Sequence, residues 1–600
     1  MLTLLGRIWL VWPVFGRWQA DTFLTRAGEL DPDNPEPFYY LGQVGIALRG
    51  DDGEWISRRG LTRVLALEPG YRDAWSLWLG LYRGENERRA GVAALARHTG
   101  ESAADLWRSQ LLIELGEYDE ARPILEGLIA RAPPDPAPRA LLAQLLYEMG
   151  LDAAAEPVYE AALLRAAADT DAVLWRQVRS TASPGERQTW GRTPPGGHTA
   201  FFRRFWAFRR PDLRAALNGR IGEHFRRLRE ARRAYPLLHP NSLYFHSRTY
   251  RGLQPIGEVK ADGVGEGADC LREASPSRID VRVPMVPAAA PADTEETLNL
   301  EDGLDDRGRI FVRYGEPDER ARCGVAEETW RYRLKEGVLQ VSFLGRHRGT
   351  GDALLAPIAS GEMRAARWLL ATDRPSGPET LDLAYWTAAF RGTTRWETEF
   401  VVRPDSTAAI AVLTDAEGRE VARDSATGIP LRLAAAAGRY LFAIDASRGD
   451  SIARVRRAIT LPPFTGDSLA VSDLLVIDRD APAVRSALVA LAPARLRMAR
   501  NRPLRVYAEV YGLATVDGRS RYDAEYRFER AVAGAGARAA AERLTTVQFR
   551  RDQPAQSTSI ESLVIDPGRL APGRYRLQLW VHDAIARQHA ASATLVFELR

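Results

Sequence analysis

Apolar residues in the first third of the chain recur at helical spacing, and the pattern itself repeats. Residues 105–133 align without a gap on residues 139–167, so that each apolar position meets a similar one at a constant offset. The matched pairs are Trp107/Leu141, Leu115/Met149, Ile124/Val158 and Leu125/Tyr159. The pattern therefore predicts helical hairpins that stack on one another.

Small and helix-breaking residues recur in the same alignment and indicate the type of repeat. The shared positions are Gly116/Gly150, Ala121/Ala155 and Pro123/Pro157. Each glycine is expected to end a first helix in the left-handed conformation, and each alanine to lie where two helices cross. Each proline is expected in the first turn of the second helix. The offset and these features together are typical of the tetratricopeptide repeat, whose period is about 34 residues.

Further units flank these two. A Leu-Asp-Pro motif at 30–32 recurs as Leu-Glu-Pro at 67–69, each ahead of an aromatic-rich helix. We count four units, or five if 172–190 forms one, and assign 21–192 to an all-α solenoid. Such arrays usually bind a protein or peptide in their concave surface. The alternative is that the array packs against the rest of the chain.

The segment 1–20 leaves two interpretations open. The apolar stretch 8–15 follows Arg7 and has the length of a signal-peptide core. Pro13 lies inside it, and the alternative is a partial first helix whose tryptophans pack on the next one. No run reaches the ~18 apolar residues of a membrane-spanning helix.

A small α+β domain is predicted over 198–350. It begins with an aromatic, arginine-rich helix and a second amphipathic helix over 214–235, followed by an irregular insertion over 236–300. The alternation of 310–314 predicts a strand, and a Gly-Glu-Pro-Asp turn follows it. Two more strands are predicted around Trp330 and over 338–344.

Several spaced motifs in this domain resemble the GWxTD family of bacterial proteins. The matching residues are Trp206, Arg209, Asn218, Asp306, Arg307, Gly308, Arg309, Gly315, Glu316, Pro317, Asp318, Trp330 and Tyr332. The chain departs from the family at its name-giving motif, where it has Asp302-Gly303-Leu304-Asp305. The resemblance implies a bacterial protein with helical repeats and β-sandwich tails and no established enzymatic activity. It also implies a periplasmic, envelope-associated or secreted location, with a cytoplasmic one not excluded.

The C-terminal half changes to short alternating strands with turn signals. Two immunoglobulin-like sandwiches are predicted, over 378–462 and 467–600. The tripeptide Gly-Arg-Tyr opens a strand in each, at 438–440 and 573–575. The last hairpin is predicted to pair 573–581 with 593–599.

Composition excludes several function classes. The 82 basic and 78 acidic residues leave a net charge of +4, which does not favour nucleic acid or an anionic membrane. Cys270 and Cys323 either pair or are two inert thiols. No catalytic motif, cofactor-binding loop or metal-ligand spacing is recognisable, and His582-Asp583 is interpreted as a surface pair.

One acidic cluster keeps an enzyme hypothesis open. Asp305, Asp306, Glu316 and Asp318 flank the predicted strand, and paired carboxylates can act as acid and base or hold a cation. Alternatively, Asp306 and Glu316 pair with arginines such as Arg307 and Arg309, and Gly-Glu-Pro-Asp is simply a tight turn. Two functions follow: a non-catalytic scaffold protein that binds a partner through its repeats, or an uncharacterised enzyme, for example a hydrolase.

Overall fold

The described part of the chain forms two compact units. The computed structural model describes residues 1–12, 15–48, 50–81, 84–169, 172–236, 304–323, 327–334, 337–345, 353–355, 383–406, 408–427, 430–448, 451–531, 541–568 and 570–600. Unit 1 comprises 1–202 and 217–376, and unit 2 comprises 203–216 and 377–600. Along the chain, a long run of helices comes first and antiparallel sheets follow. This order agrees with the predicted multidomain fold class.

Unit 1 begins with successive helical hairpins. Its helices up to residue 192 are α1 Leu2–Leu10, α2 Phe15–Leu30, α3 Pro35–Leu48, α4 Gly50–Leu67, α5 Ala74–Leu81, α6 Glu85–Leu95, α7 Ser102–Leu115, α8 Tyr118–Arg131, α9 Ala137–Glu148, α10 Asp152–Leu163, α11 Val173–Val178 and α12 Pro184–Arg192. The pairs α3/α4 to α11/α12 follow one another as repeat units, and α1/α2 precedes them.

Local sequence explains where these helices end. Gly116 and Gly150 both have a φ of +79°, which is the left-handed conformation that favours glycine. Ala121 and Ala155 are fully buried. The assignment of the two prolines was wrong: each is the sixth residue of its helix, past the first turn, so one intrahelical hydrogen bond is missing there.

Stacked aromatic rings join successive units. The Trp75 ring in α5 lies 5.0 Å from the Trp107 ring in α7, and the two planes are nearly parallel. Tyr39 in α3 contacts Tyr71, just before α5, edge to face at 5.5 Å. Such pairs add to the apolar burial that holds neighbouring units together.

The N-terminal hairpin packs on the array. Trp9 and Leu10 of α1 lie against the buried side chains of Ala20, Leu24 and Leu41. An export signal at this end stays a prediction. Among the described residues, no helix is long and apolar enough to cross a membrane.

The rest of unit 1 corrects one predicted element. Its elements are α13 His198–Arg209, α14 Gly219–Ala234, α15 Asp306–Tyr314, β1 Glu319–Cys323, β2 Glu327–Leu334, β3 Gly337–Gly345 and β4 Ala353–Leu355, and the last seven residues of α13 belong to unit 2. The four strands form one sheet in the order β1-β2-β3-β4. The strands around Trp330 and over 338–344 are thus confirmed as β2 and β3.

The strand predicted over 310–314 is wrong, because these residues form the second half of α15. The Asp305 carboxylate accepts the Gly308 N–H at 3.0 Å and so starts the helix. Arg227 of α14 donates to the Arg313 carbonyl at 2.9 Å, near the helix end. All five residues are buried, so their apparent alternation carried no strand signal. The insertion over 236–300, apart from Pro236, and Cys270 lie outside the described residues, so the pairing of the cysteines stays open.

Unit 2 consists of antiparallel sheets. Its strands are β5 Tyr385–Arg391, β6 Glu397–Pro404, β7 Ala408–Thr414, β8 Glu420–Thr427, β9 Leu431–Ala436, β10 Gly438–Arg448, β11 Ser451–Leu461, β12 Ala470–Val471, β13 Leu475–Ile477, β14 Arg497–Met498, β15 Leu504–Tyr511, β16 Arg519–Ala531, β17 Ala541–Pro554, β18 Thr558–Ile565, β19 Gly573–Asp583, β20 Gln588–Ala591 and β21 Leu595–Leu599, with helix α16 at Arg485–Leu491. The sheets are β11-β10-β7-β8 and β5-β6-β9, then β12-β15-β13 with β18, and β14-β21-β19-β16-β17 with β20.

Each pair of sheets encloses its own apolar core. Phe400, Leu433 and Phe442 are central to the first core, and Tyr526 and Leu579 to the second. The predicted final hairpin is confirmed, since β19 pairs with β21. The sequence analysis missed β8, β9, β14, β20 and α16.

A segment from far upstream completes the first sandwich. Leu213 lies against Ile410, Val412 and Ala443, and its N–H donates to the buried Asp445 carboxylate at 2.6 Å. Arg456 binds the same carboxylate at 2.8 Å. The segment 203–216 is therefore part of unit 2, although the sequence analysis grouped it with the central domain.

Candidate binding surface of the repeat array

Helix α14 lies across the first helices of the last repeat units. Its Phe225 ring is fully buried, stacks on Tyr147 of α9 at 5.4 Å and meets the edge of Tyr159 of α10 at 5.8 Å. Stacked repeats of this type create an extended concave surface. We call the surface formed by α3, α5, α7, α9 and α11 the groove face.

A buried carboxylate lies beneath α14. Glu148 of α9 accepts hydrogen bonds from Gln144 Nε2 at 2.8 Å and from the Tyr118 hydroxyl at 3.0 Å. Arg232 of α14 lies 3.6 Å from the carboxylate, and Arg229 donates to the Glu148 carbonyl. Burial raises the pKa of Glu148 to about 7, although the arginines and both hydrogen bonds act in the opposite direction.

The first half of α14 is fixed by polar contacts to α10 and α11. Arg226 donates to the Asp152 carboxylate at 2.7 Å, and a side chain at Gly222 would collide with that carboxylate. His224 Nε2 donates to the Gln177 carbonyl at 2.7 Å. The Gln177 amide in turn donates to Gln144 Oε1 at 3.0 Å, so α11, α9 and α14 share one network.

The equivalent surface one unit earlier is built from the same residue types. Gln110 and Glu114 of α7 align with Gln144 and Glu148 in the next unit, and Gln110 donates to Glu114 at 3.3 Å. Here the carboxylate pairs with Arg88 at 3.0 Å. Because the repeat makes the two positions equivalent, Gln110 lies on the groove face.

The family-motif residues of the central segment mainly build α15 and its surroundings. Asp306 is the first residue of the helix, and Arg307 donates twice to the Asp305 carboxylate, at 2.7 and 2.9 Å. Gly308 is close-packed against Leu304, and Arg309 donates its N–H to the Asp305 carbonyl. These residues therefore start a helix.

The Gly-Glu-Pro-Asp motif ends the same helix. Gly315 has a φ of +74°, and a side chain there would collide with the Arg227 guanidinium. Glu316 is exposed and pairs with Arg320 at 2.8 Å, while Pro317 is buried. The Asp318 carboxylate accepts the Arg333 N–H at 2.6 Å.

The aromatic motif residues of β2 are core residues. Trp330 and Tyr332 are fully buried, and the Tyr332 hydroxyl donates to the Gly315 carbonyl at 3.0 Å. Burial raises the pKa of Tyr332 far above its usual range. Asn218 caps α14 by accepting the Arg220 N–H at 3.2 Å.

Trp206 and Arg209 belong to unit 2, so they are not in the same unit as the other motif residues. Trp206 is buried and contacts Phe205 edge to face at 5.0 Å. The Arg209 guanidinium lies 3.7 Å from the centre of the Phe205 ring.

The acidic cluster does not form an open carboxylate site in the part of the chain that the structure describes. Asp305, Glu316 and Asp318 each bind an arginine side chain or a backbone N–H, as given above. No group of three or more His, Cys, Asp and Glu side chains within the described ranges could hold a metal ion. Glu316 is thus paired with an arginine, although the partner is Arg320, and Arg307 pairs with Asp305 instead of Asp306. The side chain of Asp306 lies outside the described part of the chain, so its pairing stays a prediction.

Comparison with known proteins defines the class of the repeats. The family model described as tetratricopeptide repeat matches residues 88–145 and 112–174. Repeats of this class generally mediate protein–protein interaction. The chain is therefore a multidomain protein with a tetratricopeptide array ahead of antiparallel β-sheets.

The other comparisons add no function. A solved structure of β-glucuronidase from Bacteroides uniformis is 11% identical, with a TM-score of 0.17, and the match covers 34% of this chain and 26% of that chain. No curated protein matches the sequence. The resemblance to the GWxTD family stays a prediction.

Sequence reasoning missed the contact between α14 and the array. The amphipathic pattern predicted the helix but not the surface that it covers. The available signal was the recurrence of a Gln-x-x-x-Glu sequence at 110–114 and 144–148. Polar residues on one side of two equivalent helices indicate a shared surface.

Proposed function

We propose that this chain is a non-catalytic scaffold protein of the bacterial envelope or secreted fraction whose repeat array binds a partner protein. The class of the repeats supports the binding role. The paired carboxylates of the central segment support a role without catalysis. The envelope location rests on the resemblance of the central segment alone.

The position of α14 carries the proposal, because it divides the groove face in two. Within the array, the interactions of α14 described above involve α9, α10 and α11. The helices α3, α5 and α7 form the other part. We therefore assign partner binding to this N-terminal part of the groove face.

The chain's own α14 indicates what kind of segment such a surface accepts. It is an amphipathic helix that inserts one aromatic ring and presents arginines to the carboxylate of a first helix. On α7, Trp107 and Gln110 are both partly exposed and lie in the positions equivalent to Leu141 and Gln144. The proposed partner contributes an amphipathic helix to this surface.

Site-specific photo-crosslinking in the native organism tests the proposal. A photoreactive residue replaces Gln110 on the groove face of the full chain, and a matched control replaces Glu126, which is exposed on α8. We expect a discrete protein adduct from position 110 and none from position 126. No adduct from position 110, or the same adduct from both positions, would overturn the assignment.

A further inference from the structure

The outer face of the second sandwich carries two histidines side by side. His582 of β19 is the direct cross-strand partner of His589 of β20. Their Nδ1 atoms lie 3.0 Å apart, and the rings stack with centroids separated by 4.9 Å. His589 is exposed and His582 is partly exposed, so the pair is accessible from solvent.

The turn between the two strands is fixed by a buried carboxylate. Asp583 is fully buried, so the prediction of a surface pair is wrong for this residue. Its carboxylate accepts the backbone N–H groups of Ile585, Ala586 and Ala514 at 2.8, 3.0 and 2.7 Å. The bonds from Ile585 and Ala586 fix the turn that places the histidines opposite each other, and the bond from Ala514 ties this turn to a neighbouring loop.

The second strand is held independently. The side-chain oxygen of Gln588, next to His589, accepts the Leu469 N–H at 3.2 Å. Both histidines therefore sit on backbone that is fixed by contacts on either side. Such preorganisation is what a ligand pair needs in order to bind a metal without ordering a loop.

The separation of the two nitrogens fits neighbouring ligands of one metal ion. Two ligands at about 2.1 Å from a metal and at right angles are about 3.0 Å apart, whereas tetrahedral ligands are about 3.4 Å apart. The observed 3.0 Å therefore matches a square-planar or octahedral arrangement. Such geometry with nitrogen and oxygen ligands is typical of Cu²⁺ and Ni²⁺.

We propose that His582 and His589 bind one divalent transition-metal ion through their Nδ1 atoms, with Cu²⁺ bound most tightly and water completing the coordination. In the metal-free neutral pair, one Nδ1 carries the hydrogen that it donates to the other. On metal binding this hydrogen moves to Nε2 of the same ring, so the neutral pair binds the ion without losing a proton.

The adjoining strand adds a carboxylate to the surroundings. Asp523 of β16 lies opposite His582 on its other side in the sheet. Its carboxylate accepts a hydrogen bond from Arg550 at 3.3 Å, so the proposed ligands are the two imidazoles alone. A site with only two protein ligands is expected to bind more weakly than a closed structural site.

Titration of the full chain with Cu²⁺ tests the proposal, using calorimetry for stoichiometry and electron paramagnetic resonance for the ligands. We expect the wild type to bind one more equivalent of Cu²⁺ than the double variant His582→Ala/His589→Ala. The paramagnetic resonance spectrum of this additional Cu²⁺ should show two nitrogen ligands. Each single variant should weaken binding at least about tenfold, since even outer-shell changes reach that size. His98→Ala serves as a matched control and should bind as the wild type does.

The alternative is a hydrogen-bonded pair without a ligand. Identical stoichiometry and identical nitrogen couplings in the wild type and the double variant would overturn the proposal. The variants His582→Gln and His589→Gln keep a polar side chain on the same strands. If the alanine variants misfold by circular dichroism, the glutamine variants must lose the same equivalent for the proposal to stand.

Discussion

The helices α7 and α9 occupy equivalent positions in the repeat, yet their surroundings differ. Apart from Arg139, every residue of α9 is buried. On the groove side of α7, by contrast, Trp107 and Gln110 are partly exposed, and Glu114 pairs with Arg88 of the array. The difference comes from α14, which packs on α9. The repeated sequence thus determines that both helices form. Which of the two helix surfaces can bind a partner depends on α14, which lies outside the repeats.

The largest expected effect comes from removing the ring that joins α14 to α9. Phe225→Ala leaves a cavity between Tyr147 and Tyr159 and should destabilise their packing by about 3–5 kcal/mol. Hydrogen exchange should show lost protection in α9 and unchanged protection in α7. Equal loss in both helices would mean that α14 supports the whole array instead of its last units.

The second prediction concerns pH. Because burial raises the pKa of Glu148 from 4.5 to about 7, the folded chain binds this proton more tightly than the unfolded chain does. The protonated carboxyl therefore contributes roughly 3 kcal/mol to the free energy of unfolding. This contribution is complete below about pH 4.5 and is lost as the pH rises through 7.

The variant Glu148→Gln isolates this effect, because its side chain is neutral throughout. The protection of α9 amides in the wild type, relative to that in the variant, should fall between pH 5 and pH 8. A difference that stays constant over this range would contradict the role of Glu148 burial under α14.

The third prediction uses the two glycines as a matched pair. Gly116→Ala and Gly150→Ala each place a side chain at a φ of +79°, with no atom close enough to clash. Each substitution should therefore lower the free energy of unfolding only by the backbone strain, about 1–2 kcal/mol. Urea unfolding of the two variants should give equal shifts; a much larger shift for Gly150→Ala would show that α14 depends on that helix end.

The smallest effect is expected on the outer side of the array. Arg122 and Glu126 of α8 form an exposed pair at 2.8 Å. Arg122→Ala should change stability by no more than about 0.5 kcal/mol, measured by the same unfolding experiment. A larger loss would indicate that this side also packs against something.

Sequence predicted the repeats well because their signal is local and recurrent. Two local features carry this signal: glycine ends a helix at 116 and 150, and alanine allows two helices to cross at 121 and 155. Both can be recognised without knowing the rest of the fold. The strand predicted over 310–314 was wrong because five consecutive buried residues carry no periodicity. The start of that helix depends on the Asp305 cap, and Arg227 of α14 bonds near its end.

Two short strands of the first sandwich escaped prediction. The side chains of β8 are exposed or half-exposed along its length, and β9 alternates only between leucine or alanine and a small or charged residue. The candidate surface was likewise beyond the sequence, because the contact of Phe225 with Tyr147 joins segments far apart in the chain. The pairing of His589 with His582 could have been predicted from the sequence. The two residues are seven apart with a turn between them, so they fall on neighbouring antiparallel strands.

The upstream segment that completes the first sandwich has a consequence for biosynthesis. Leu213 leaves the ribosome 232 residues before the Asp445 that it binds. At ordinary rates of translation this interval lasts roughly 10–50 s, during which the segment has no sheet to pack on. Fragments that begin at residue 377 lack the segment altogether and would expose Ile410 and Val412. Correct folding of the C-terminal unit therefore depends on a part of the chain made long before it.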